Sequence, residues 1–166
     1  MRVRGNLYRA MDEILFRAKA INRDCKYGYS EARRANYKNG DWVYGLITKP
    51  YNERFPKLPA EMRNTDGVNG IEIDHKTIGM WTGKLDYEGN YIFENDILQD
   101  ADTGEYVVVQ WFPEHSSFMV WRIAINKIEF LYSFLDSKYK KLKVIGNVYD
   151  GQNLIDKAME EFDNES

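Results

Sequence analysis

Cysteine and histidine are almost missing from this chain of 166 residues: Cys25 is its one cysteine, and His75 and His115 are its two histidines. A single thiol excludes an internal disulfide, and so few thiolate and imidazole ligands exclude the usual structural zinc sets. No apolar run approaches the roughly 18 residues of a membrane span. The first twenty residues interleave Arg, Asp and Glu and lack the apolar core of a signal peptide. Together these absences lead us to expect a cytoplasmic protein. The chain also lacks a Walker loop, a G-x-S-x-G elbow, an H-E-x-x-H pair and a dinucleotide fingerprint. It holds only four prolines, and no repeat or low-complexity tract.

What is present is a composition able to bury a core: 43% hydrophobic and 30% charged residues. The length fits one domain, or one with an appended subdomain. Aromatics make up 14%, and with so little proline this favours pleated, half-buried surfaces over helix bundles. The formal charge is -3, but residues 1–38 hold ten Lys/Arg against four Asp/Glu, and the remainder thirteen against twenty-two. Such asymmetry suits either a polyanion-binding end or two solvated, mutually attracting faces.

Along the chain, alternation from Glu13 to Ala20 predicts a strand, and Asp41–Thr48 a second that pairs with it, after an Asn39-Gly40 turn. Residues 22–38 read as a loop or short helix. Pro50, Pro56, Pro59 and the turn residues 65–70 predict a loop over 49–70 without regular structure. Strands are expected at 71–74, 77–81, 91–93 and 97–99, with a hairpin turn at 86–90 and a turn at Asn95-Asp96. The segments 105–112 and 117–124 read as a β-hairpin. Residues 126–136 carry helical and strand periods at once, and periodicity leaves them open. A strand at 144–149 precedes a short helix with the stripe Leu154, Ile155, Ala158 and Met159, with Asp150 or Asn153 as its cap.

Five segments in order, EILFRA (13–18), GDWVYG (40–45), IDHKTIGMWTG (73–83), DYEGNYIFENDI (86–97) and VIGNVY (144–149), resemble the YopX family of phage and prophage proteins. The resemblance rests on Thr77, Gly79, Thr82, Gly83, Asp86, Gly89, Asp96, Gly146 and Asn147; Asn95 stands where members usually carry glycine, a mild change because both tolerate positive φ. It implies a mainly β protein whose second half forms a small SH3-like barrel or curled antiparallel sheet, with an N-terminal strand pair and a short C-terminal helix. Residues 1–11 are then expected to be an extension, 12–155 the β domain, and 156–166 an acidic tail or helix end. It implies no established catalytic activity, and a setting in the cytoplasm of a bacterial host. The motif residues also have a purely local explanation: glycines for positive φ or close approach, aspartates for bonding turn amides.

Three functional readings follow. Asp74-His75, Asp86, Asp96 and Glu114-His115 are the densest sets able to hold a divalent metal for hydrolysis. Asp74 and His75, however, are neighbours on a strand and point to opposite faces, and the others sit in turns. Cys25 lies in a polar loop with Asp24 opposing its ionisation. We expect no enzyme, cofactor or metal. Nucleic-acid binding would use Arg17, Lys19, Arg33, Arg34, Trp42 and Tyr44, aromatics that stack bases while cations track phosphates; Trp42 and Tyr44 share a strand face, which equally suits a core. Protein interaction, the favoured reading, would use Tyr51, Phe55 and Leu58 in the long loop, with self-association through a sheet edge or the C-terminal helix in the same class.

Overall fold

The computed structural model describes residues 15–22, 36–135 and 141–164. The expected extension at 1–11, Cys25, Arg33, Arg34 and most of the 22–38 segment lie outside the described residues. The fold is mainly β, with two antiparallel sheets of six and five strands and short helices. The chain separates into two compact units, residues 1–81 and 82–166.

In the first unit, β1 (Phe16–Lys19) pairs with β2 (Trp42–Lys49), placing Arg17 opposite Tyr44 and Lys19 opposite Trp42. β2 pairs with β3 (Ala60–Asn64), and β3 with β4 (Ile71–Ile73). On its other side β1 meets β5 (Gly79–Leu85), with Arg17 opposite Gly79. The sheet order is β4-β3-β2-β1-β5-β6, where β6 (Tyr91–Phe93) and the end of β5 fall within residues 82–166. Alternation sends Ala18, Val43, Ala60, Met62, Ile71 and Ile73 to one face, where they form the core of this unit. Each large aliphatic side chain buried there contributes roughly 1.5–3 kcal/mol.

β3 corrects the expectation of an irregular 49–70 segment. Prolines frame only its first half, and Ala60, Met62 and Asn64 are buried alternately with half-buried Glu61 and exposed Arg63. Lying between β2 and β4, this short stretch takes its strand conformation from ladders on both sides.

In the second unit the sheet order is β10-β9-β8-β7-β11, built from β7 (Asp96–Asp100), β8 (Tyr106–Phe112), β9 (Ser117–Arg122), β10 (Lys127–Phe130) and β11 (Leu142–Asn147). One core cluster contains Leu98, Val107, Val109, Val120 and Leu142, with Leu131 and Phe134 of helix α1 (Leu131–Leu135). A second contains Ile97, Tyr106, Val108 and Ile123, with Leu154 and Ile155 of helix α2 (Gln152–Asn164). Strand parity puts these clusters on opposite faces, each with its own helix. Gly151 precedes α2, and Asn153, one of the expected caps, lies inside its first turn.

Of the two forms expected for the second half, the barrel is corrected: the antiparallel sheet is not closed. β10 and β11 are the two edges. Closure is replaced by a turn on the β11 side: the Tyr87 N–H donates to the Leu142 carbonyl at 2.8 Å, and the Val144 N–H donates to Asp86 Oδ2 at 3.0 Å. The ambiguous 126–136 segment is both of its readings in succession, β10 followed by α1.

Candidate functional site

Two consecutive turns shape the loop between β2 and β3. The Phe55 N–H donates to the Asn52 carbonyl and the Leu58 N–H to the Phe55 carbonyl, both at 2.9 Å, while the Arg54 N–H donates to Asn52 Oδ1. Phe55 and Leu58, three residues apart, are left 58% and 49% exposed. Tyr51 behaves differently. Its ring stacks on His75 at 3.7 Å with the planes 4° apart, and it packs against the core of the first unit. It fastens the base of the loop, while Phe55 and Leu58 stand clear of the core.

The outer face of β1 and β2 brings together Arg17, Lys19, Trp42 and Tyr44. The Arg17 guanidinium carbon lies 4.8 Å from the Trp42 ring centroid, and Lys19 Nζ lies 5.4 Å from it. Both contacts are cation–π in character, with the positive charge held over the aromatic quadrupole. Arg17 is only 6% exposed, so most of its side chain is withdrawn from solvent. Tyr44 and Leu46 on the same strand face are exposed, as is Arg63 opposite Leu46 on β3.

The motif residues are placed in turns and strand junctions. Thr77 Oγ1 accepts from the Lys19 N–H and donates to the Asp74 carbonyl, each at 2.8 Å. Thr82 Oγ1 donates to the Ile92 carbonyl at 2.8 Å. Asp86 accepts from the Glu88 N–H, the Asn90 N–H, the Asn90 side-chain amide and the Val144 N–H. Burial pushes its carboxyl up, but the Asn90 side-chain amide and the backbone N–H groups of Val144, Asn90 and Glu88 outweigh this and hold it below the ordinary range. Buried Asp96 accepts from the Phe93 N–H at 2.7 Å. Asn147 Oδ1 accepts from the Tyr149 and Asp150 N–H groups, fixing the exit from β11. Gly83 and Gly89 have φ of +77° and +88°, which only glycine adopts at no steric cost. Gly146 sits at a β-bulge, where a Cβ would lie 3.2 Å from Leu154 Cδ1, and Gly79 lies opposite Arg17.

This ordered set of turns belongs to a family: the model for the YopX protein matches residues 16–156, most of the chain. The chain is a member of the YopX family. No curated protein matches it. YopX membership covers both sheets and begins at Phe16, the first residue of β1.

Apart from Glu114, the acids and histidines considered for a metal have local roles in this YopX chain. Asp74 accepts from the Lys76 N–H at a single 3-10 turn, His75 is stacked on Tyr51, and His115 approaches the Phe130 ring edge-on at 5.8 Å. Among the described residues no three His, Cys, Asp or Glu side chains form a metal-binding group, and no helix is long and apolar enough to cross a membrane. Sequence reasoning passed over exposed apolar residues of the second unit: Leu85, Tyr87 and Tyr91 beside the 86–90 turn, and Ile125, Ile128 and Phe130 at the β10 edge. Their signal was present in the alternation of Ile128 and Phe130, but was masked by the overlapping helical period.

Proposed function

We propose that this chain is a non-enzymatic, phage-encoded accessory protein that acts in the host cytoplasm by binding another protein through the loop between β2 and β3. One observation carries the reading: Phe55 and Leu58 are held by backbone turns in an ordered loop and remain 58% and 49% exposed. A large aromatic and an aliphatic side chain presented from an already ordered loop lose little conformational entropy on docking, which favours their use as interface anchors. In this reading Tyr51 buttresses the loop instead of touching the partner.

A photoreactive phenylalanine analogue placed in turn at 55, 58 and 132 tests the assignment in infected cells. Tyr132 is 62% exposed and serves as the control for mere accessibility. Crosslinks to a discrete protein from 55 and 58 but not from 132 are expected. Equal crosslinking from 132, or none from 55 and 58, would remove the loop from the interface.

A second reading, nucleic-acid binding, is favoured by the cationic and aromatic face of Arg17, Lys19, Trp42 and Tyr44. It ranks lower because Trp42 is already the seat of two cations and Arg17 is buried, which leaves Tyr44 as the accessible stacking surface.

A further inference from the structure

The four sheet edges are not equivalent. At β4, the Glu72 carbonyl accepts from the Ile21 N–H, and Ala20 bridges Ile73. At β11 the Asp86–Asn90 turn occupies the outer side through Leu142 and Val144. β6 is three residues long, and the N–H of its last residue, Phe93, is taken by Asp96. Among the described residues β10 has β9 as its one neighbour in the sheet, and Lys127, Ile128 and Phe130 along it are exposed. An edge of this kind, alternating and apolar on one face, is a template for strand addition.

We propose that β10 pairs antiparallel with β10 of a second copy of this chain, about a two-fold axis through Ile128. Two constraints select this partner and register. In an antiparallel ladder, residues opposite each other must both direct their backbone groups across the ladder or both away from it, so a two-fold axis between identical strands passes through a residue position and not between two. Centring on Lys127 sets lysine against lysine, and centring on Glu129 sets glutamate against glutamate. Centring on Ile128 sets Lys127 of each copy against Glu129 of the other, twice, and Ile128 against its own mate. Phe130 then lies opposite Asn126 and diagonal to the second Ile128, so both exposed apolar side chains of the strand are covered. The Lys127 ammonium now sits 2.9 Å from Glu129 of its own strand and is itself well exposed, so it is free to exchange that contact for the carboxylate across the axis. The ladder is short, since a turn ends at Asn126 and α1 begins at Leu131; the dimer therefore forms at high protein concentration and dissociates on dilution.

Sedimentation velocity over a concentration series, with the full chain, tests the register. Wild type should pass from monomer to dimer. Lys127→Glu and Glu129→Lys, each of which faces like charges across the axis, should each weaken association roughly tenfold or more. An equimolar mixture of the two variants should recover the dimer, because the all-acidic strand then meets the all-basic one. Glu129→Gln keeps an acceptor for Arg122 and should weaken the dimer roughly threefold, which guards against misfolding as the cause. A wild type that stays monomeric throughout, a dimer indifferent to these charges, or a mixture of folded variants that fails to associate would each overturn the proposal.

Discussion

At the motif positions single residues have structural roles that need no ligand. Asp86 is the clearest. Four donors converge on it, and one of them, the Val144 N–H, comes from a strand 58 residues away in sequence. Its folded-state pKa is lowered, so its contribution to stability is fully present above the ordinary value of 3.8 and is lost as pH falls through the folded-state value. Asp86→Asn should cost about 2 kcal/mol at neutral pH, since an amide nitrogen would face donors where an oxygen now accepts. Denaturant melts at pH 7 and pH 3 check this: the gap between variant and wild type should narrow at the lower pH, and a constant gap would contradict it. Such local side-chain-to-backbone bonding is what made Asp86 and Asp96 legible in sequence, because Asx turns are written within a few residues. Arg17 was not legible in the same way. Its burial and its seat over Trp42 depend on a pairing between β1 and β2 that no local pattern specifies.

At the level of elements, the strands read most directly were those with strong period-two alternation and turns at both ends. β8 and β9 fall within the expected hairpin, with Pro113–His115 forming the 3-10 turn between them. β3 was hidden because its strand character comes from neighbours on both sides, while Pro59 beside it signals a loop. Residues 126–136 resisted assignment for a different reason: a strand passes directly into a helix there, so both periods are real. The β2–β3 ladder supplies the second prediction. At Gly45 an added Cβ would fall 1.9 Å from the Arg63 carbonyl oxygen, so the two backbones can approach only because the side chain is absent. Gly45→Ala should cost about 3 kcal/mol by overpacking and lower the melting temperature in thermal denaturation, and an unchanged melt would show that the ladder yields.

Over the whole molecule, the family and the mainly β class were legible because they rest on many short signals in order. Whether the second sheet closes was left open between barrel and antiparallel sheet, because it turns on which segment reaches the outer side of β11. Charge gives the molecule-scale prediction: with a net charge of -3, and Trp42 engaged by Arg17 and Lys19, labelled single-stranded DNA, duplex DNA and RNA should show no rise in fluorescence anisotropy even at low salt. Salt-sensitive binding abolished by Trp42→Ala would instead promote the nucleic-acid reading. The central claim, that the β2–β3 loop is the partner-binding surface, is met most directly by quantitative capture of host and phage proteins on wild-type chain and on the Phe55→Ala/Leu58→Ala variant. Both side chains are exposed, so the variant should keep its stability to within about 0.5 kcal/mol. It should lose at least one partner by roughly tenfold or more, as removal of interface anchors does. A variant that melts like wild type and captures the same proteins in the same amounts would contradict the account.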